Sequence, residues 1–589
     1  MPLIKDVHQQ FSDYFKNEDL KPYFYLLSKK LSEGNICLDI TKIRQDELPD
    51  GYKLHPNRVL TQEYLISDGN EVKPLILRNN KLYFHRYYYY ETMILHAIIN
   101  LIARSAIAKN EKLEEAKQLA PMFHDLFPAS TESNQINWQR IAAIQSVLHN
   151  FTIITGGPGT GKTTTVAKIL NILFQQDKTL KVALAAPTGK AAARMAESLN
   201  AAAEQFENLK ESFSKLQPFT IHRLLGYKKN SIHFKRNKDN PLNYDVIIID
   251  EASMIDVALF AKLLDAVGPA TKLILLGDKN QLASVEAGSL FGDLCMAQAE
   301  LNYFDAGDKE IFETLLPQKE FELLQERLSK NSNHPLFGHV IELRKSFRFS
   351  DEEGIGKFSK AVVENNQTAI GAFFGNTDAR IQIDTDYSPD VFYGFVSGFE
   401  SYIKEPDIKT ALKKLNDLKV LCATRDGIKG VNEMNRQIVN YLKDHKLISP
   451  DREFYENRPV MITKNDYELN LFNGDIGLVR YDEDGNLKVW FENGEQELKS
   501  VYPSNISQAE TVFAMTVHKS QGSEFKNVLV MLPETEDLPI LTRELIYTAV
   551  SRAKEKVIIQ APQNVVLAAA KAKVVRGSGL AERFSEHKI

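Results

Sequence analysis

The segment that most clearly carries chemistry is the glycine-rich stretch GGPGTGKTTT at residues 156–165. It fits the pattern G-x-x-x-x-G-K-[ST], in which backbone amides surround an anion, the lysine reaches the β- and γ-phosphates, and the hydroxyl ligates Mg²⁺. Lys162 and Thr163 occupy the last two positions of that pattern. The sequence therefore predicts a site for ATP and Mg²⁺, with nucleotide contacts from Gly156, Gly157, Pro158, Gly159, Thr160, Gly161, Lys162, Thr163 and Thr164.

A second part of this site is predicted in the segment YDVIIIDEASMID at residues 244–256. Its unbroken apolar run is typical of a parallel strand covered on both faces, and ligands bind at the carboxyl ends of such strands. Asp250 and Glu251 follow the run directly. We expect Asp250 to hold hydrated Mg²⁺ and Glu251 to act as a general base toward the attacking water. A solvated acidic strand end is the alternative.

The elements that must position these residues can be recognised in the flanking sequence. FTII at residues 151–154 is typical of a strand, and TTVAKIL at residues 164–170 is typical of a helix. KLILL at residues 272–276 predicts another strand, so the polar segment GDKNQL that follows it lies at a neighbouring strand end. The sequence therefore predicts an α/β domain around a parallel sheet.

Composition limits the remaining possibilities. The 589 residues, 43% hydrophobic and 25% charged, are typical of a soluble globular protein that is too long for one core. We expect a cytoplasmic protein, because the start MPLIKDVHQQ lacks a secretory pattern and no run of about 18 apolar residues occurs. The three cysteines, Cys37, Cys295 and Cys422, have no paired spacing, which argues against disulfides and zinc. The net charge of −5 leaves only a local groove for nucleic acid.

Further short segments follow in a characteristic order along the chain. They are APTGKAAARM (186–195), TIHRLLGY (220–227), LLGDKNQLASVEAG (275–288), LRKSFRF (343–349), MTVHKSQGSEF (515–525) and ELIYTAVSRA (544–553). Together with the phosphate loop they resemble the motifs of the RecD family, superfamily 1 helicases of the 5′-to-3′ subgroup. The resemblance covers most of the chain from about residue 137, and VHKSQGSEF and YTAVSRA are its most specific parts. It implies two RecA-like P-loop motor domains, with parallel sheets flanked by helices.

The resemblance extends the nucleotide site beyond the loop. Gln281 would touch the γ-phosphate and couple its loss to movement, since an amide both donates and accepts hydrogen bonds. Arg348 and Arg552 look like the family's arginine fingers, which would reach the phosphates when the cleft between the domains closes. Gln139 would contact the adenine edge, and Glu524 the ribose. Arginines are more often ion-paired or solvated, and surface glutamines are common, so these roles depend on the resemblance.

The resemblance also implies a groove for single-stranded DNA that both halves of the motor build. Its expected contacts are Thr188, Lys190, His222, Thr516, His518 and Lys519. Thr188 and Lys190 also fit on chemical grounds, because a helix N terminus with a hydroxyl binds phosphate. A single histidine is more often packed or capping than a ligand. A groove built from both halves would change shape with the nucleotide and so convert hydrolysis into stepping.

Two inserted segments are predicted. Residues 227–244, YKKNSIHFKRNKDNPLNY, are basic and predict a short hairpin that resembles the family's duplex-splitting pin, with a solvated surface loop as the alternative. Residues from about 455 to 510 alternate apolar and polar side chains and contain Asn-Gly and Asp-Gly turns. They predict a small antiparallel β unit, and the family has an SH3-like insertion at this place that we expect to brace the DNA groove.

The front of the chain, residues 1–118, carries no catalytic pattern. It predicts a hairpin about Asn79–Asn80 and then helical spacing, with Tyr87–Tyr90 suited to a core or an interface. The resemblance implies a mainly helical domain that docks on a partner, in a heterotrimer with RecB-like and RecC-like subunits. We therefore expect an N-terminal domain (1–118), a first motor domain (119–345) and a second motor domain (346–589).

These features predict an ATP-dependent 5′-to-3′ DNA helicase subunit of a helicase–nuclease in double-strand break repair and homologous recombination. Two alternatives stay open: a stand-alone RecD-like helicase, usually longer at its front, and a DNA-binding clamp that uses ATP only as a switch. Glu251, Arg348 and Arg552 argue against the switch, which would not need a complete hydrolytic set. The sequence has no convincing nuclease pattern, so nuclease activity would belong to a partner.

Overall fold

The computed structural model describes most of the chain. The described residues are 6–54, 64–104, 109–128, 135–206, 209–228, 231–284, 286–298, 300–329, 334–349, 353–375, 378–466, 468–492 and 497–587. Two parallel sheets dominate, a smaller sheet precedes them, and an antiparallel sheet is inserted into the second half.

The N-terminal region combines helices with a small sheet of order β1-β4-β3-β2. Its elements are α1 (Val7–Tyr14), α2 (Lys21–Ser32), α3 (His85–Arg104), β1 (Leu38–Asp39), β2 (Ile66–Ser67), β3 (Leu75–Arg78) and β4 (Lys81–Phe84). The predicted hairpin is confirmed: β3 and β4 pair antiparallel, and Asn79 and Asn80 take φ values of 50° and 60°, which asparagine tolerates. In α3, Tyr88 and Tyr90 are buried, whereas Tyr89 is 51% exposed.

The first motor domain surrounds a sheet of order β12-β5-β9-β8-β6-β7, in which every neighbouring pair is parallel. Its helices are α4 (Lys109–Leu126), α5 (Trp138–Leu148), α6 (Lys162–Gln176), α7 (Gly189–Ala203), α8 (Lys210–Ser214), α9 (Ile221–Leu225), α10 (Val257–Ala266), α11 (Leu290–Met296), α12 (Lys309–Leu315) and α13 (Gln318–Gln325). Its strands are β5 (Phe151–Gly156), β6 (Val182–Ala186), β7 (Pro218–Thr220), β8 (Val246–Ile249), β9 (Lys272–Gly277), β10 (Phe304–Asp305), β11 (Leu328–Ser329) and β12 (Val340–Leu343). Every residue of β5 and β8 is buried, as the unbroken apolar runs predict.

The start of this domain differs from the predicted boundary at residue 118, which falls inside α4. Ala116, Leu119 and Phe123 of α4 are buried in the same core as the first parallel sheet. A helix packs where its apolar face is buried, so we place the end of the N-terminal domain before α4.

The second half contains the other parallel sheet, of order β13-β22-β21-β14-β20, and the antiparallel sheet, of order β18-β17-β16-β15-β19. Its helices are α14 (Gly354–Val363), α15 (Gln367–Gly371), α16 (Pro389–Val396), α17 (Glu400–Ile403), α18 (Ile408–Asp417), α19 (Val431–Asp444), α20 (Arg543–Val550), α21 (Gln563–Lys571) and α22 (Leu580–Glu586). Its strands are β13 (Ile381–Asp384), β14 (Leu418–Cys422), β15 (Pro459–Ile462), β16 (Ile476–Tyr481), β17 (Leu487–Glu492), β18 (Leu498–Val501), β19 (Ala509–Thr511), β20 (Ala514–Thr516), β21 (Phe525–Met531) and β22 (Ala553–Gln560). The antiparallel sheet confirms the predicted β insertion.

The basic segment 227–244 folds back on itself without a regular strand in its described part. Lys235 N donates to Gly226 O at 2.9 Å, and an isolated bridge joins Asn237 and Asn240. Phe234 packs against the first motor core instead of pointing outward along a strand. The predicted short hairpin therefore stays a prediction: its described part turns back through one antiparallel bridge, and residues 229 and 230 lie outside the described residues.

The end of the chain returns to its beginning. Gly577 O accepts from Ile36 N at 2.9 Å, and Gly579 N donates to the buried Glu91 carboxylate at 2.8 Å. Arg583 of α22 pairs with the same carboxylate at 3.5 Å. These contacts fasten the N-terminal region to the segment that follows the second motor sheet.

The structure also bears on the expectations about cysteines, membrane-spanning helices and metal sites. Cys37, Cys295 and Cys422 are free and buried. None of the helices in the described residues has the length and apolarity needed to span a bilayer. Among the same residues, no group of three or more His, Cys, Asp or Glu side chains is placed to hold a metal ion.

Candidate nucleotide and DNA site

The phosphate loop connects β5 to α6 and is shaped by glycines in the left-handed region. Gly159 and Gly161 have φ values of 76° and 80°, which side chains disfavour. Lys162 begins α6, and its Nζ donates to the carbonyl oxygens of Gly156 at 2.7 Å and Gly157 at 3.2 Å. The lysine amine thus lies inside the loop, next to the amides that start the helix. This is the geometry expected for a phosphate cradle.

Asp250 and Glu251 leave the carboxyl end of β8, as predicted. Glu251 N donates to Asp250 Oδ1 at 2.8 Å, and Glu251 itself takes a left-handed φ of 51°. Such a conformation is costly for a residue with a Cβ and is concentrated at functional sites. Burial raises the pKa of Asp250 to about 6, the charge of Glu251 adds to the rise, and Lys162 opposes it. A cation between these groups would relieve the crowding of negative charge.

A cavity of about 560 Å³ joins these residues to side chains from the second half of the chain. Its lining residues are Gln139, Pro158, Gly159, Thr160, Gly161, Lys162, Thr163, Thr164, Ala191, Arg194, Met195, Ser198, Asp250, Glu251, Gln281, Phe347, Arg348, Gly522, Glu524 and Arg552. The structure therefore brings the predicted nucleotide residues together, with Gly156 and Gly157 just behind them as partners of Lys162.

Gln281 follows β9 and lies at a joint between the two motor domains. Its Nε2 donates to Asp278 Oδ2 at 3.1 Å, and that carboxylate also accepts from the Tyr547 hydroxyl of α20 at 2.8 Å. The next residue, Leu282, donates its backbone N–H to Thr548 Oγ1 at 2.9 Å. Movement of α20 relative to the first sheet would therefore change the position of Gln281 directly.

Arg552 stands after α20 and is 3% exposed. Its guanidinium donates to Thr548 O and Ser523 O, both at 3.2 Å. Burial lowers its pKa from the ordinary arginine value. Carbonyl oxygens satisfy hydrogen bonds without neutralising the charge, so an anion in the cavity would gain from this guanidinium.

Arg348 reaches the cavity from the segment that links the two motor domains. Its guanidinium pairs with Glu524 at 2.7 Å, and the same carboxylate pairs with Arg194 of α7 and lies 3.3 Å from Lys554. Burial opposes the charge of Glu524, but the contacts and charges of Arg194 and Arg348 lower its pKa to about 2. The residue that the resemblance assigns to the ribose is thus surrounded by cations.

Gln139 and Phe347 lie on the outer side of the phosphate loop. Gln139 Nε2 donates to Thr160 O at 3.0 Å, and a Cβ at Gly161 would collide with this amide. Phe347 lines the same cavity and is 67% exposed. Both side chains line the cavity beside the phosphate loop. The contact of Gln139 with adenine stays a prediction.

The predicted DNA contacts of the first motor domain follow neighbouring strands β6 and β7. Thr188 caps α7, since its Oγ1 accepts from Ala191 N at 3.3 Å. Lys190 lies in the first turn of α7 and is exposed. The His222 ring packs edge-on against Phe234 at 5.6 Å.

The predicted contacts of the second motor domain lie at the end of β20. Thr516 Oγ1 accepts from Lys519 N at 3.2 Å, and Lys519 Nζ pairs with Glu510 at 3.3 Å. His518 is half-buried, and burial lowers its pKa, so the imidazole is neutral at pH 7. A neutral imidazole donates or accepts hydrogen bonds but adds no charge toward phosphate.

The two sets of predicted DNA contacts lie close together at positions occupied by glycine. A Cβ built on Gly522 would lie 3.8 Å from Thr188 Oγ1. A Cβ on Gly189 would lie 4.0 Å from the ring of Phe472, which belongs to the inserted antiparallel unit. The inserted unit therefore lies beside the N terminus of α7, as the expected bracing role requires.

Several residues of the site escaped prediction. Arg194 lies four residues after Lys190 on α7, so helical spacing alone places both on one face. Phe347 adjoins Arg348 in a recognised motif, but only the structure shows that this exposed side chain lines the cavity. Tyr547 lies in a recognised motif, but its contact with Asp278 joins residues distant in the chain, and Phe472 carries no sequence signal.

Comparison with family models matches three parts of the chain. Residues 139–287 match an AAA domain, residues 511–560 match a UvrD-like helicase C-terminal domain, and residues 432–491 match the SH3 domain of ATP-dependent RecD-like DNA helicases. The last match begins within α19, whereas the strands of the antiparallel sheet begin at residue 459.

Curated relatives match over most of the chain. The RecBCD enzyme subunit RecD of Haemophilus influenzae is 33% identical over 550 residues, covering 88% of this chain and 82% of that protein. The subunit of the same name from Mycolicibacterium smegmatis is 33% identical over 574 residues, covering 95% and 92%. The ATP-dependent RecD2 DNA helicase of Deinococcus radiodurans is 30% identical over 448 residues, covering 74% of this chain but 51% of that protein.

Proposed function

Because this chain belongs to the RecD family of ATP-dependent DNA helicases, we propose that it is the 5′-to-3′ motor subunit of a cytoplasmic RecBCD-type helicase–nuclease. Its role is the unwinding of broken duplex ends in double-strand break repair and homologous recombination. The observation that carries the proposal is the cavity whose walls come from both motor domains. A nucleotide held there bridges two bodies that also carry the predicted DNA contacts.

The geometry of the cavity supports the following proposed roles in hydrolysis. Lys162 neutralises the β- and γ-phosphates, and Glu251 accepts a proton from the attacking water. Gln281 is suited to orient that water, because its Oε1 is buried without a hydrogen-bond donor among the described residues. Arg348 and Arg552 supply charge to the transition state from the other wall.

Mg²⁺ fits this site by the chemistry of its donors. Thr163 offers a hydroxyl and Asp250 a carboxylate, which are the oxygen ligands that Mg²⁺ prefers. Burial, with the neighbouring charge of Glu251, raises the pKa of Asp250, so a cation beside this carboxylate would be favourable. Thr163 and Asp250 would hold the ion, which would supply positive charge against the phosphates.

Movement along DNA is proposed to arise between the two predicted sets of contacts. Thr188, Lys190 and His222 hold phosphates on the first motor domain, and Thr516, His518 and Lys519 hold them on the second. Hydrolysis releases the γ-phosphate that links the two walls of the cavity. The distance between the two sets of DNA contacts therefore changes in each cycle of hydrolysis. The basic loop 227–244 lies beside His222 and is suited to separate the duplex ahead of the first grip.

The partner proposal rests on the relatives. The two RecD relatives are named as subunits of the RecBCD enzyme, and this chain spans most of their length. We place the docking surface for RecB-like and RecC-like subunits on the N-terminal domain, whose described residues line no part of the nucleotide cavity. A stand-alone helicase is less well supported, since the RecD2 helicase matches 74% of this chain, whereas the two RecD subunits match 88% and 95%.

Strand displacement tests the proposal. Duplexes with a 5′ or a 3′ single-stranded tail are mixed with the chain and ATP, and the wild type is compared with Lys162→Gln. We expect unwinding from the 5′ tail and none with the variant. Preference for the 3′ tail contradicts the polarity, and a fully active chain that co-purifies with no partner contradicts the subunit assignment.

A further inference from the structure

Glu524 is the acidic side chain of the second wall, and it contacts cations from both motor domains. Its Oε1 pairs with Arg348 at 2.7 Å. Its Oε2 pairs with Arg194 and lies 3.3 Å from Lys554. The carboxylate is 12% exposed, so these ion pairs dominate its surroundings. Both oxygens of the side chain are therefore committed to positive charge.

Arg194 makes this cluster a link across the cleft. It belongs to α7 of the first motor domain, whereas Glu524 directly precedes β21 of the second. Arg194 also lines the same cavity as Asp250 and Glu251 of the acidic strand end. The low pKa of Glu524 keeps the pair ionised over the physiological range.

A triphosphate and the Glu524 carboxylate attract the same partners. Guanidinium groups bind planar anionic oxygens, whether these belong to carboxylate or phosphate. The cavity is lined by the cations Lys162, Arg194, Arg348 and Arg552 and by the carboxylates Asp250, Glu251 and Glu524. Phosphate oxygens therefore compete with Glu524 for its arginines, whereas a ribose hydroxyl competes for none of them.

We propose that Glu524 is a positioning residue, which holds Arg194 and Arg348 in the cleft through ion pairs and releases them to the phosphates of the nucleotide. Arg194 is thereby assigned as a third guanidinium that binds a phosphate group. The inference rests on the proposed nucleotide site. It replaces the ribose contact that the family resemblance implies for Glu524.

The two roles predict opposite changes in Glu524→Gln. A positioning carboxylate competes with phosphate, so its neutralisation lowers the KM for ATP several-fold, while kcat falls about tenfold because Arg348 is no longer held. A ribose contact acts in ground state and transition state alike, so its loss raises KM and leaves kcat nearly unchanged. A purely structural defect would lower the active fraction without lowering KM.

The experiment measures steady-state ATP hydrolysis of the 589-residue chain with saturating single-stranded DNA. Wild type, Glu524→Gln, Arg194→Gln and the double variant are compared. We expect Arg194→Gln to raise KM about tenfold, and Glu524→Gln to lower KM less in that background than in wild type, since only the pair with Arg348 is left to break. Additive changes in KM overturn the pairing.

A second measurement uses 3′-deoxy-ATP to address the ribose directly. We expect the ratio of kcat/KM for ATP to that for 3′-deoxy-ATP to be the same in wild type and Glu524→Gln. A preference for ATP that disappears in Glu524→Gln overturns the proposal. Glu433→Gln, which removes a carboxylate from the distant pair with Arg436, is the matched control and keeps wild-type constants. If the wild type hydrolyses no ATP with DNA present, the proposed function itself fails.

Discussion

The first motor domain lines the nucleotide cavity with side chains that leave the ends of adjacent strands, whereas the second lines it with side chains held by distant partners. In the first wall, β5, β9 and β8 are neighbours in the sheet, with Ile154 opposite Leu276 and Ile249 opposite Leu275. The backbone ladder therefore fixes the relative positions of the phosphate loop, the acidic strand end and Gln281.

The second wall is assembled differently. Arg348 arrives on the interdomain link, Arg552 follows α20, and Glu524 precedes β21. A backbone bond from Phe525 N to Arg552 O at 2.8 Å aligns two of these segments, and ion pairs place the remaining charges. The difference indicates that the backbone holds the first wall in place. The second wall depends on ion pairs between side chains, and the phosphates of a nucleotide can replace one partner of such a pair.

The sharpest test of the second wall is Arg552→Gln. Loss of an arginine finger costs about 10³–10⁵ in turnover, so we expect DNA-stimulated kcat to fall at least about a thousandfold while ATP still binds. ATPase kinetics and binding of a fluorescent nucleotide measure the two effects separately. Lys556→Gln, which removes an exposed charge four residues away and outside the cavity lining, is the control and should retain most activity. Near-normal kcat in Arg552→Gln would leave the second wall without a catalytic role.

The corresponding test of the first wall is Glu251→Gln. Removal of a general base costs about 10²–10⁴ in rate, and the neutral amide leaves the cavity shape intact. We expect hydrolysis to be lost while ATP-dependent binding of single-stranded DNA persists, measured by fluorescence anisotropy. Equal loss of nucleotide binding would mean that Glu251 holds the wall together instead of acting on water.

The contrast between the walls also explains what the sequence could predict. Lys162, Asp250 and Gln281 follow apolar runs, and such runs specify parallel strands whose ends meet at one edge. The pairing of Arg194 with Glu524 joins positions far apart in the chain, and no local pattern encodes it. The same limit applies to the contact of Glu91 with the C-terminal segment, which unites the two ends of the chain.

The basic loop shows a different kind of limit. Its composition correctly indicates a surface segment that turns back on itself, but composition does not tell whether Phe234 points outward or into a core. Phe234 packs beside His222 and under Lys262, and the sequence of the loop alone does not encode these contacts with other elements. Tertiary packing of this kind commonly overrides local β propensity.

The joint between the walls is tested by Tyr547→Phe. The Tyr547 hydroxyl donates to the Asp278 carboxylate, which is 2% exposed, and a buried hydrogen bond to a charged group contributes about 2 kcal/mol. We expect the free energy of unfolding to fall by about this amount in urea titrations. Tyr393→Phe is the control, because Tyr393 is 37% exposed and contributes a ring stacked on Tyr441. Equal destabilisation by both variants would show that the hydrogen bond of the Tyr547 hydroxyl contributes no more to the free energy of unfolding than an exposed hydroxyl does.

The smallest expected effect concerns pH and the ion pairs of Glu524. Its folded-state pKa of about 2 lies below the ordinary 4.5, so the pairs stabilise the fold above pH 4.5 and lose this contribution as pH falls toward 2. Because Arg194 is 36% exposed, solvent screening limits the gain to about 1 kcal/mol. We expect Glu524→Gln to be less stable than wild type in urea at pH 7, with the gap narrowing at pH 3.5, and Glu433→Gln to match wild type at both. A gap that is the same at both pH values would attribute the effect to packing, and the second wall would then be as fixed as the first.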